Sequence, residues 1–137
     1  MKKTIATCLL LILILSCVFS FVACTDKTDP IVGKYKWIAP SITDSETESY
    51  FDVRSDGTAT KYSIYVKTLL AGQINTTLEY TWSYDEETQI YTFKDIYGRY
   101  SADEYKLVNG TIKWADPQYS GSYGQRITDS EWPDILK

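Results

Sequence analysis

The alternation that decides the fold runs over residues 76–84, which read T-T-L-E-Y-T-W-S-Y. From Leu78 onward, large apolar or aromatic side chains occupy every second position, with small polar or acidic side chains between them. Successive side chains of a β-strand point to opposite faces, so this pattern predicts a strand with one buried and one solvated face. Strands of this kind are typical of antiparallel sheets.

The same period of two continues on both sides of this stretch. In residues 58–67 it separates an apolar face, with Tyr62, Ile64 and Val66, from a polar face that includes Lys61. Including these two segments, we predict seven strands, near residues 32–39, 49–55, 58–67, 76–84, 89–95, 99–107 and 111–115.

Turn chemistry separates the predicted strands. Asp56-Gly57 and Asn109-Gly110 are the strongest hairpin signals, because both pairs tolerate the positive φ of tight turns. Residues 85–88, D-E-E-T, predict a four-residue hairpin loop. In the less regular segment 118–137, we expect one helical turn near residues 130–133 that packs Trp132 and Leu136 against the sheet.

Seven or eight short strands joined by hairpins predict an all-β domain. The two architectures that fit are an antiparallel meander forming an up-and-down barrel or half-barrel, and a β-sandwich. We favour the barrel, because closure removes the exposed strand edges that would otherwise pair with other chains.

Three motifs resemble small lipocalin-like domains. Residues 31–37, I-V-G-K-Y-K-W, are similar to their Gly-x-Trp opening strand, although Tyr35 stands where Trp is expected. Phe51 with residues 55–58, S-D-G-T, resembles their first hairpin, and Trp82 with residues 91–93, Y-T-F, resembles a later one. The resemblance spans residues 31–115. It implies a barrel or half-barrel and an apolar ligand, and it transfers no catalytic residue.

The N-terminus has the pattern of an export signal. Lys2 and Lys3 precede a run rich in Leu and Ile, and no further charge occurs until Asp26. A basic start, an apolar run and a small residue before the cut are typical of such signals. Two alternatives stay open, an uncleaved membrane helix and a plainly secreted protein.

Residues 21–24, F-V-A-C, resemble the lipobox of prokaryotic lipoproteins, with Phe21 in place of the usual Leu. The resemblance implies cleavage before Cys24 and a diacylglyceryl group, with palmitate-type chains, on its sulfur. Cys17 also follows a lipobox-like stretch, but cleavage there would leave an apolar tail. Since Cys8 and Cys17 would leave with the leader, lipidated Cys24 would leave no free thiol outside the cell.

The predicted organisation is a signal peptide at 1–23, a lipidated cysteine and polar tether at 24–30, and a single β domain at 31–137. The chain has 137 residues and a formal net charge of −4, which becomes −6 when Lys2 and Lys3 are removed. An acidic surface does not favour nucleic acid. The predicted location is extracytoplasmic, with the lipid on Cys24 holding the protein to the cell membrane.

Aromatic side chains are the principal candidates for a site, since the chain has 12 Tyr and 4 Trp. Rings of this kind either fill a core or line a pocket. If a cavity exists, the predicted wall residues are Trp37, Tyr62, Tyr80, Trp82, Tyr91 and Trp114. A second candidate is the segment 119–124, Y-S-G-S-Y-G, whose composition is that of adaptable recognition loops.

The sequence lacks residue types on which many enzyme active sites depend. The chain has no histidine, and the domain after Cys24 has no cysteine, which removes histidine-based triads and the usual zinc sites. The acidic clusters lack the spacing of a calcium loop. We therefore predict no catalytic residue, metal or cofactor.

The sequence leaves two functions open. The first is a non-catalytic cell-envelope lipoprotein whose β domain binds a small apolar or saccharide ligand. The second is a structural or interaction module with a filled core, whose outer face or Tyr-rich loop meets another envelope protein.

Overall fold

A computed structural model describes residues 28–39 and 45–137. The predicted signal peptide, Cys24 and the first part of the tether lie outside the described residues.

Eight antiparallel strands form a closed up-and-down barrel in which each strand pairs with the next and β8 pairs with β1. The prediction of an all-β barrel is confirmed, in its closed form. The strands are β1 (Gly33–Ile38), β2 (Thr47–Val53), β3 (Thr58–Tyr65), β4 (Ile74–Asp85), β5 (Ile90–Asp95), β6 (Asp103–Val108), β7 (Thr111–Trp114) and β8 (Tyr123–Arg126).

The predicted turns connect these strands. Gly57 has a φ of 83°, and the Asp56 carboxylate accepts hydrogen bonds from both the amide and the hydroxyl of Thr58. Asn109 and Gly110 have φ values of 52° and 76° and join β6 to β7. These conformations are the reason that Gly and Asn occupy the turns.

Strand β8 is the one strand that the sequence pattern did not locate. It has four residues, and its inward positions carry Gly124 and Arg126, so no apolar alternation reveals it. The predicted helical turn lies slightly later, as a short 3-10 helix at Asp134–Leu136.

The two ends of the barrel differ. At the end where β1 begins, Ile31 is fully buried and its carbonyl accepts a hydrogen bond from the Tyr35 hydroxyl at 2.7 Å. The Asp29 carboxylate accepts another from Tyr91 at 2.9 Å, and Arg126 donates to the carbonyl of Pro30. The segment before β1 therefore closes this end, which we call the closed end.

The opposite end, which we call the open end, carries the connections β1–β2, β3–β4, β5–β6 and β7–β8. These connections are longer than the turns at the closed end.

The C-terminal segment, residues 127–137, packs on the outside of the barrel. Trp132 is buried against Tyr50 and Ile64, with Tyr62 and Leu136 beside it. This cluster is separate from the core inside the barrel, and it covers the outer faces of β2 and β3.

Candidate functional site

Five of the six predicted wall residues belong to the barrel interior. Tyr80 and Tyr91 are buried in the core, and Trp37, Trp82 and Trp114 pack against it. Tyr62 differs, because β3 turns its apolar face outward and Tyr62 packs there against Trp132, with ring centroids 6.1 Å apart. Tyr62 therefore lies on the outside of the barrel, apart from the other five.

Rings fill the barrel interior between the two ends. Phe93 lies 5.3 Å from Phe51 and 5.4 Å from Tyr105, and Phe51 lies 5.7 Å from Tyr80, all between ring centroids. Tilted and edge-on contacts at these distances are the favourable arrangement of packed aromatic rings. Tyr80 therefore packs in a filled core, and burial raises its pKa to about 12 with help from the negative charges of Asp103 and Asp95.

The open end holds a cleft of about 760 Å³, bounded by the end of β1, the start of β2, the start of the loop after β3, and residues 118–122. A volume of this size is within the ordinary range of ligand pockets. Its lining combines two rings with hydroxyl and amide groups: Trp37, Tyr119, Thr47, Ser49, Gln118 and Ser122.

Neighbouring rings position one wall of the cleft. Trp37 meets Tyr105 and Trp114 edge-on, at centroid distances of 5.7 and 5.8 Å. Trp114 donates from Nε1 to the Ser122 hydroxyl at 3.0 Å and contacts the Tyr119 ring at 5.3 Å. The Tyr-rich segment 119–124, singled out in the sequence, thereby contributes to the cleft.

An ion pair between Lys36 and Glu48 lies at the edge of the cleft. Lys36 Nζ lies 2.7 Å from Glu48 Oε1, and the Tyr50 hydroxyl donates to Glu48 Oε2 at 2.6 Å. Partial burial opposes ionisation of Glu48, but the hydrogen bonds from Lys36 and Tyr50 outweigh it, so its pKa lies below the usual range.

Lys61 is a charged residue of the barrel interior that the sequence pattern did not identify. It points into the barrel, and its Nζ lies 5.7 Å from the centroid of the Trp37 ring. Burial lowers the pKa of Lys61, and the negative charge of Asp103 partly offsets this. Burial raises the pKa of Asp103, while Lys61 and a hydrogen bond from Tyr105 oppose the rise. Lys61 and Asp103 therefore bring a positive and a negative group into the barrel interior.

Within residues 28–39 and 45–137, no cluster of acidic side chains is arranged to hold a metal ion. The same part of the chain contains no helix with the length and hydropathy needed to cross a bilayer. Comparison with known protein families, curated proteins and solved structures found no match for this chain.

Proposed function

We propose that this protein is a non-catalytic lipoprotein of the cell envelope, anchored through Cys24, whose barrel binds a small saccharide at its open end. The observation that carries the proposal is the cleft of about 760 Å³, which opens above a filled aromatic core. Binding pockets combine apolar walls with a few placed polar groups, and this cleft has both.

The lining favours a saccharide over an apolar ligand. Trp37 and Tyr119 contribute aromatic rings to the lining, and such rings pack against the C–H surface of a sugar. Thr47, Ser49 and Gln118 offer donors and acceptors for sugar hydroxyls. A purely apolar ligand would leave these polar groups without partners, which costs free energy.

Tyr119 provides a direct test. It lines the cleft and is 52% exposed, so Tyr119→Ala removes a ring without opening the core. The matched control is Tyr97→Ala, which removes a ring that is 66% exposed at the same end but lies outside the cleft.

Calorimetric titration of the full-length protein in detergent with a panel of neutral and acidic sugars measures the effect. We expect Tyr119→Ala to weaken sugar binding by about tenfold, the loss of one ring contact, and Tyr97→Ala to change it little. Absence of binding to every sugar, or an equal loss in both variants, would contradict the proposal.

The anchor has a separate test. Cys24→Ala removes the sulfur that would carry the lipid, so we expect the variant to leave the membrane fraction or to retain its leader unprocessed. Mass spectrometry of the native product measures the lipid directly. A Cys24→Ala variant that stays membrane-bound with an unchanged mass would contradict lipidation.

A protein-interaction module is the second candidate, and one observation favours it. Large apolar side chains are exposed on the loops at the open end, with Leu69 completely exposed and Ile96 and Tyr97 about half to two-thirds exposed. Exposed apolar groups of this kind mark contact surfaces when they are contiguous. Sugar binding that survives Leu69→Ser would assign the ligand site to the cleft and not to the exposed apolar side chains of the open-end loops.

A further inference from the structure

Strand β4 is longer than β5, the strand beside it. Residues 80–85 of β4 pair with β5, whereas residues 74–79 extend past the end of β5 toward the open end. On its other side, β4 pairs with β3 over residues 74–81. In the part of the chain that the structure describes, residues 74–78 therefore have a neighbouring strand on one side only. We call these five residues the β4 edge.

The backbone groups of Thr77 face the unpaired side of β4. The carbonyl of Glu79 accepts a hydrogen bond from the amide of Ile96 at 3.0 Å, just past the end of β5. Alternate residues of a strand present their N–H and C=O groups to the same neighbour. Those of Thr77 therefore point to the same side as those of Glu79, at a level that β5 does not reach.

The composition of the β4 edge leaves it open to pairing. Residues 74–78 read I-N-T-T-L, with no charge and no proline, and the first four of them are exposed. Natural strand edges that stay unpaired are usually protected by charges, by proline or by a covering segment. An unprotected edge is a template on which an extended chain adds a strand through main-chain hydrogen bonds.

Two exposed rings lie on the loop that begins at Ile96, beside this edge. Arg99 orders both rings, since its Cζ lies 4.7 Å from the centroid of the Tyr97 ring and 5.8 Å from that of the Tyr100 ring. Arg99 itself is fixed by three hydrogen bonds to the buried carboxylate of Asp95. Tyr and Arg are enriched among the residues that dominate binding energy at interfaces, and fixing them beforehand reduces the cost of binding.

The charge of this surface indicates which kind of chain fits it. Across residues 66–79 and 96–102, Lys67 and Arg99 are basic and Glu79 is the single acidic residue, although the chain as a whole has a net charge of −4. Two copies that paired through this edge about a two-fold axis would bring the same basic surface together. A partner with acidic residues would complement it.

We propose that the β4 edge binds an extended segment of a partner protein, which adds a strand beside β4 and carries acidic residues next to that strand. The rings of Tyr97 and Tyr100 contact the same segment. This inference goes beyond saccharide binding, because neither Thr77 nor these two tyrosines line the cleft.

Thr77→Pro tests the edge, because proline removes the N–H that faces the unpaired side and leaves the amides that face β3 in place. Thr77→Val is the matched control, since it keeps the amide. The probe is a fluorescein-labelled peptide of alternating Val and Thr with Asp at both ends. Fluorescence polarisation with the full-length protein in detergent measures its binding. We expect Thr77→Pro to weaken binding by about tenfold or more, and Thr77→Val to change it little.

Two further comparisons test the rings and the charge. Tyr97→Ala should weaken peptide binding by about tenfold, as for other interface rings, and should leave sugar binding unchanged. A peptide with Lys in place of Asp should bind the unaltered protein several-fold less tightly, because its charge matches that of the surface.

The outcomes decide between the possible occupants of the edge. Hydrogen exchange of the Thr77 amide should slow when the peptide is added to the unaltered protein, and this measurement holds even if Thr77→Pro folds poorly. Unchanged exchange at Thr77, no peptide binding, or equal binding by Thr77→Pro and Thr77→Val would overturn the proposal. Self-association in sedimentation that Thr77→Pro abolishes would assign the edge to a second copy and overturn the choice of partner. Sugar titrations are read separately, so failure of either proposal leaves the other in place.

Discussion

At the scale of single residues, Gly124 determines how closely the Trp37 ring approaches the wall of the barrel. It lies between Trp37 of β1 and Ile112 of β7 in the sheet. A Cβ built on Gly124 would be 3.3 Å from Cε3 of Trp37 and 3.4 Å from Cβ of Ile112. These contacts are tight, so the position of Trp37 at the cleft depends on the absence of a side chain at Gly124.

We therefore expect Gly124→Ala to destabilise the protein by about 1 kcal/mol, the lower end of the cost of overpacking. For a domain of about 100 residues this lowers Tm by roughly 4 °C. Thermal melts followed by circular dichroism measure the change. Gly121→Ala is the control, since a Cβ at Gly121 meets nothing within 4 Å. Equal effects of the two substitutions would contradict the packing argument.

Asp95 makes a second prediction at this scale, concerning pH. Its buried carboxylate accepts three hydrogen bonds from Arg99, from the amide at 2.8 Å, Nε at 3.1 Å and Nη2 at 3.0 Å. The side-chain hydrogen bonds of Arg99 lower the pKa of Asp95, against the effect of burial. A lowered folded-state pKa contributes stability above the ordinary value of about 3.9, and this is lost as pH falls through the lowered value.

Asp95→Asn should therefore destabilise the protein at pH 7, and the difference from the unaltered protein should shrink at pH 2. Urea denaturation at the two pH values measures this. Asp129→Asn removes an ion pair in which the carboxylate is 88% exposed, so it should change stability far less at pH 7. A difference that is the same at both pH values would contradict the role of the Asp95 carboxylate.

At the scale of elements, the C-terminal segment acts as an outer strap across β1, β2 and β3. Trp132 is 4% exposed and meets Tyr50 edge-on at 5.8 Å. Lys34 Nζ lies 5.1 Å from the centroid of the same ring, a cation–π distance. The strap thus buries apolar side chains that would otherwise face water on the outside of the barrel.

Trp132→Ala should cost about 3 kcal/mol, as for other buried aromatic side chains replaced by alanine. Chemical denaturation measures the loss. Ile135→Ala, in the same segment but 48% exposed, should cost far less. A small effect of Trp132→Ala would show that the strap adds little to the stability of the barrel.

At the scale of the whole molecule, the two ends of the barrel are not equivalent. The described chain enters at the closed end, and the cleft lies at the open end. Only a few residues separate Cys24 from the closed end, a reach of about 14 Å for four extended residues. Lipid on Cys24 would therefore hold the closed end next to the membrane and direct the cleft away from it.

Two cysteine-labelled variants test this orientation in liposomes that contain a spin-labelled lipid as quencher. Glu87→Cys places a fluorophore in the exposed turn at the closed end, and Leu69→Cys places one at the open end. The 12 residues of β4 run between these ends, roughly 30 Å for a tilted strand. We expect strong quenching at position 87 and weak quenching at position 69. Equal quenching would contradict the orientation.

The sequence by itself determined the all-β class, seven strands and the two tight hairpins. These depend on local chemistry, namely alternation along each strand and residues that tolerate positive φ at Gly57, Asn109 and Gly110. It also identified Trp37 and the segment 119–124, both of which contribute to the cleft.

Only the tertiary structure decided which face of β3 points inward, where the eighth strand lies, and that Lys61 lies inside the barrel beside the Trp37 ring. The physical reason is that a period of two shows which side chains share a face but not which face is inside. On β3 both faces are covered, one by the barrel interior and the other by Trp132, so the apolar face with Tyr62 and Ile64 packs outward. That outer cover comes from a distant part of the chain, and no local pattern records it.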